Sequence, residues 1–176
     1  MKTKFNKLVI AICAMVLSGT ALAADDTGIL GVSASVVAEC SVGDGPAISL
    51  GALSMITDAG TQTALDTTAG STFPAICTNG TQSPKFSYVS ENKQGNTFRL
   101  KGGTVTTEFI PYTPYLSSNG TGTAVVNSGA VAHPDFSADG TSKTLALSAR
   151  ILAVDKAAKS VQTYSDTITV TASFGV

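Results

Sequence analysis

The chain has 176 residues, of which 13% are charged and 43% hydrophobic, with no Trp and a formal charge of −1. That balance carries no basic footprint for nucleic acid. The scarcity of charge argues against coiled coils and helical bundles, and the apolar content is too high for a disordered chain. One His and three Cys leave little material for a metal site, and a single compact domain is the default at this length.

The chain opens with Lys2, Lys4 and Lys7, followed by an apolar run over residues 8–17 and the small-x-small triplet Ala21-Leu22-Ala23. This reads as a secretory signal peptide over residues 1–23, cleaved before Ala24. The run falls far short of the ~20 residues a bilayer core requires, so no stable membrane insertion is expected after cleavage. Removing 23 of the 176 residues leaves 153, and losing three of the eleven Lys and Arg takes the formal charge from −1 to −4. Cys13 is lost as well, leaving Cys40 and Cys77. An even pair in an exported chain reads as a disulfide, with two free buried thiols as the alternative. Its 37-residue separation would stabilise the fold by on the order of 4 kcal/mol in the chain-entropy account.

The remainder lacks a 3.6-residue period and alternates with a period of two, which predicts strands. Leu30, Val32, Ala34 and Val36 share one face of the first segment. Residues 29–37 at ~3.4 Å each would span about 30 Å, a full sandwich strand. The pattern alone leaves two readings open: an ordinary first strand, or a strand donated to a neighbour. Residues 58–71, rich in Thr, Ala and Gly, are expected to form a long loop. Phe86 and Tyr88 alternate after Pro84, and Phe98 and Leu100 follow. Pro111-Tyr112-Thr113-Pro114-Tyr115 reads as an edge strand or corner, with stacking on a sugar or peptide as the weaker alternative. Residues 117–142 are expected to be a second loop, with room for a short strand at Val125 and Val126. Leu145, Leu147 and Ala149 alternate, and the apolar run continues over residues 151–154. Ile168, Val170, Ala172 and Phe174 alternate with Thr and Ser.

Asn79-Gly80, Gly102-Gly103, Asn119-Gly120 and Asp139-Gly140 supply turns between these runs. Two of them also match an N-glycosylation pattern, for which a hairpin turn is the simpler reading. Roughly seven to nine strands follow, which fits an all-β, antiparallel β-sandwich.

Motifs for chemistry are missing. The sequence has no nucleophile elbow, P-loop, dinucleotide fingerprint or paired-His zinc motif. His133, beside Pro134 and near Asp135 and Asp139, reads as part of a solvated loop rather than as a base or ligand. No cofactor, metal or enzymatic activity is expected.

The order of elements resembles the spore coat protein U-like family, which includes subunits of archaic chaperone–usher pili. The resemblance runs from the alternating segment 32–42, ending at Cys40, through Ala75-Ile76-Cys77-Thr78-Asn79-Gly80-Thr81 and Lys85-Phe86-Ser87-Tyr88-Val89. It continues through Arg99, Leu100 and Gly102, the segment 110–116, and the segment 145–151. Its most specific part is Tyr164-Ser165-Asp166-Thr167 followed by alternating residues to Phe174. Ile48-Ser49-Leu50-Gly51 departs from the family pattern by lacking its Phe.

The resemblance implies an immunoglobulin-like sandwich that is incomplete and is completed by a donor strand. It assigns residues 24–39 as that N-terminal strand, with Leu30, Val32, Ala34 and Val36 entering a neighbour's groove, and residues 40–176 as the pilin domain. The groove would be bordered by the last strand, through Ile168, Val170, Ala172 and Phe174. The implied partners are copies of the chain or related pilin subunits, a periplasmic pilus chaperone and an outer-membrane usher. The implied role is a surface pilus subunit supporting adhesion and biofilm formation, exported through the periplasm. A secreted monomeric binding module and a protective coat protein are the alternatives.

Overall fold

The structure, a computed structural model, describes residues 29–53, 66–156 and 158–175. The signal segment and the leader 24–28 lie outside these residues, as does most of the expected loop 58–71. Among the described residues no helix is long and apolar enough to cross a membrane.

The chain divides into two units, residues 1–35 and 36–176. In the first, residues 29–35 form no ladder. Ile29, Leu30 and Val32 are at least 89% exposed.

Among its described residues the second unit is all β apart from one helical turn. Its strands are β1 (Cys40–Val42), β2 (Thr67–Cys77), β3 (Gln82–Ser90), β4 (Phe98–Gly102) and β5 (Phe109–Tyr115). After these come β6 (Ala130–Val131), β7 (Lys143–Ile151), the helical turn α1 (Ala153–Lys156), β8 (Tyr164–Ser165) and β9 (Ile168–Gly175). One sheet has the order β1-β2-β7-β5-β4-β8 and the other β6-β3-β9. Every pairing is antiparallel. The core lies between the sheets, with Phe73, Leu145, Leu147 and Ile110 of the first packed against Phe86 and Tyr88 of the second. The sandwich expected from the alternation is therefore present.

Three local expectations are corrected. Thr67–Ser71 belongs to β2 rather than to a loop, because it pairs with β7 from Thr67↔Ile151 to Ser71↔Leu147. Partner strands, rather than intrinsic hydrophobicity, make this Thr-, Ala- and Gly-rich stretch extended. The short strand expected at Val125 and Val126 falls instead at Ala130–Val131, paired with β3. Val125 is buried, and its N–H donates to the Pro114 carbonyl at 2.9 Å. The apolar run past Ile151 does not continue as strand; it turns into α1, whose first N–H, at Ala153, donates to Asp66 Oδ1 at 3.0 Å.

The two-proline strand β5 is central, between β7 and β4, not an edge. Its prolines fall where no ladder N–H is needed. The Pro114 carbonyl points to Val125 and away from β7, so its missing N–H also faces that side, beyond the last β4 pair at Phe98↔Tyr112. By the same alternation Pro111 faces the β7 side, where pairing starts only at Thr113↔Arg150. Tyr112 and Pro114 are buried, which removes them as a stacking platform.

His133 is also corrected, from a solvated loop to the core. It is 3% exposed, its Nε2–H donates to the Ala146 carbonyl at 2.9 Å, and its Nδ1 accepts from the Asp135 N–H at 3.2 Å. Its ring meets Phe73 and Phe86 edge-on. The residue is a structural tie between a loop and β7.

A candidate strand-accepting groove

β9 alternates as strictly as β7, yet its inward side chains are only half-buried, whereas Leu145 and Ile151 of β7 are fully buried. β9 is hydrogen-bonded to β3 on one side, and on its other edge no strand is paired among the described residues. Along that edge runs a groove of about 580 Å³. Its floor comes from the first sheet, through Phe73 of β2, Leu147 and Ala149 of β7, Tyr112 of β5 and Leu100 of β4. One wall is β9, through Ile168, Thr169 and Val170. The other is the end of β1 and the segment after it, through Val42, Ile48 and Leu50.

That second wall is irregular but anchored along β2. The Gly43 N–H donates to the Pro74 carbonyl at 2.9 Å, and the Ser71 hydroxyl donates to the Pro46 carbonyl at 2.6 Å. Gly45 lies so close that a Cβ there would meet the Thr72 carbonyl oxygen at 2.3 Å. Only glycine lets the wall lie this tightly on the β2 edge. Upstream, Cys40 and Cys77 form the expected disulfide, and the Thr78 N–H donates to the Glu39 carbonyl at 2.9 Å.

Polar groups line one end of the groove. The Tyr112 hydroxyl, on the first sheet, donates to Asp166 Oδ2 at 2.6 Å, just before β9. Asp166 Oδ1 accepts from the Asn92 N–H at 3.1 Å and from Asn92 Nδ2 at 3.0 Å. Asn92 is held in turn by Arg99, whose Nε–H donates to its carbonyl at 2.9 Å while the guanidinium lies 4.0 Å over the Phe109 ring. The Glu91 N–H donates to the Thr167 carbonyl at 2.9 Å. Burial pushes the Tyr112 phenol well above its ordinary range, and the bond to Asp166 pushes it further.

Among the residues named from sequence, Ile168 and Val170 line the groove, Ala172 packs on the core, and Phe174 is half-buried at the far end of β9. Leu30, Val32, Ala34 and Val36 are all exposed. The sequence alone does not mark the floor residues Phe73 and Tyr112 or the wall residues Ile48 and Leu50 as groove residues. Their signal was present in part: Ile48 and Leu50 alternate, and Leu147 and Ala149 sit on the same face of one strand. Among the described residues there is no cluster that could hold a metal ion.

No curated protein matches the chain. A solved structure similar to it is a chaperone–tip adhesin complex, described as vital for synergistic activation of CFA/I fimbriae biogenesis. The match has 14% identity and a TM-score of 0.43, and covers 70% of this chain and 40% of that one. This chain thus spans less than half the length of that neighbour. The Spore Coat Protein U domain matches residues 26–171, and the chain belongs to that family.

Proposed function

We propose that the chain is a structural subunit of a surface pilus, assembled by donor-strand complementation. The observation that carries this reading is the half-covered inward face of β9 beside an unpaired edge and an apolar groove. An open edge over exposed apolar surface is an aggregation hazard, and it fits a strand supplied by another chain. The chain carries a segment of the right kind in residues 29–37, with Leu30, Val32, Ala34 and Val36 on one face and all four exposed. Seating the Leu and Val side chains in a neighbour's groove would contribute ~1.5–3 kcal/mol each by apolar burial, with the main-chain ladder added. One strand and one groove per copy form a heterologous contact that propagates an open fibre.

In this reading a periplasmic chaperone covers the groove until an outer-membrane usher exchanges it for the next subunit's strand. The fibre would support adhesion and biofilm formation at the cell surface. The exposed alternating segment and the groove together favour this over a self-complete binding module or a coat protein.

The full chain, exported and purified, tests the reading with Val32→Asp. A charge in the centre of the donor face should abolish the long-lived oligomers formed by the unsubstituted chain and leave the domain folded. Equal oligomerisation of both chains would overturn the proposal.

A further inference from the structure

Strand alternation forbids some registers but not all. A slip of one residue turns the apolar face of an inserted strand outward, whereas a slip of two keeps it inward. Alternation along residues 29–37 therefore leaves even slips open, and something at an end of the groove has to exclude them. The geometry points to the Asp166–Tyr112 hydrogen bond as the register stop of the groove, a positioning pair rather than a contact surface. This inference rests on the strand-accepting reading above.

The bond joins the first sheet to the residue two before β9, and both side chains line the groove. The inward position before Ile168 is thus occupied from within the domain by the Asp166–Tyr112 pair. The stop is well supported. Asp166 accepts from Tyr112 and twice from Asn92, and Asn92 is fixed by Arg99. A seated strand that slipped by two toward this end would place an apolar side chain against a carboxylate whose hydrogen bonds are already made. Desolvating that group without a new partner is unfavourable. The last buried apolar residue of an inserted strand should therefore lie opposite Ile168.

Intersubunit disulfide trapping in the full chain tests this. Ile168→Cys is combined in turn with Leu30→Cys, Val32→Cys, Ala34→Cys and Val36→Cys, and oligomers are oxidised and mapped. The expected result is a single dominant cross-link, from Ile168→Cys to one terminal position of the donor face. Adding Tyr112→Phe, which keeps the ring and removes the hydroxyl, should bring up a second cross-link shifted by two residues. Asp166→Asn, which keeps the shape, should do the same. One unchanged cross-link in both variants would overturn the register stop while leaving strand donation standing. Absence of any cross-link in oligomers of the parent would overturn strand donation and the stop with it. Because the readout is a shift in register, general destabilisation does not imitate it.

Discussion

Cys40, the first residue of β1, is bonded to Cys77, the last of β2. The bridge therefore fixes the start of the wall that runs on through Val42 to Leu50. Cys40→Ser with Cys77→Ser should lower stability by about 4 kcal/mol on the chain-entropy account for this loop length. Denaturant unfolding with and without reductant checks this: reduction should bring the parent to the level of the double variant and leave the variant unchanged.

His133→Ala should destabilise the domain by about 2–4 kcal/mol, by opening a cavity beside Phe73 and Phe86 and leaving the Ala146 carbonyl without its donor. Because His133 is not among the residues lining the groove, the variant should still oligomerise once folded at low temperature. Urea unfolding midpoints report the stability change, and gel filtration reports the assembly.

Gly120 combines a φ of +72° with a close approach, since a Cβ there would lie 2.4 Å from Thr68 Cγ2. Its N–H also donates to the buried Ser148 hydroxyl at 2.8 Å, which seats the loop on the outer face of β7. Gly120→Ala should cost about 1–3 kcal/mol. Gly122→Ala, at φ +91° with open space around the added Cβ, carries backbone strain alone and should cost less. Thermal melting of the two variants side by side checks the order.

Stability should fall in acid and in strong alkali, for different reasons. Asp139 is held below its ordinary 3.8 by the Lys143 hydrogen bond first and Thr141 second. Asp66 is lowered from 3.8 by Arg150, and Glu108 is lowered from 4.5 by the Tyr164 hydroxyl. The unfolded chain takes up these protons more readily, so the contribution is complete above about pH 4.5 and is lost as pH falls through the lowered folded values. Burial raises Tyr88 and Tyr112 above the ordinary 10.0, so the unfolded chain ionises first and stability declines as pH rises past 10. Unfolding followed against pH should show a plateau between these limits, and Glu108→Gln should flatten part of the acid slope.

The sequence made some of this fold legible and hid the rest for physical reasons. β7 and β9 could be read because their alternation is intrinsic to the chain. The start of β2 could not, because Thr67–Ser71 becomes strand only through pairing with β7. The burial of His133 depends on a carbonyl and two aromatic rings from three other strands, and the order of β5 between β7 and β4 depends on where each proline's missing N–H happens to point. The family signature around Asp166 could be recognised as a pattern. Its meaning, a carboxylate joining two sheets at the end of a groove, needed Tyr112 and Asn92 brought in from 54 and 74 residues away.

Strand donation makes its most direct prediction about the outer edge of β9. The Thr167 carbonyl accepts from Glu91 on the β3 side, so the alternate residues Val170 and Ala172 direct their N–H groups to the unpaired edge. Amide hydrogen exchange on monomer and oligomer measures those groups individually. The Val170 and Ala172 amides should exchange freely in the monomer and become protected in the oligomer, together with amides of residues 29–37. Oligomers in which both sets exchange as in the monomer would contradict strand donation.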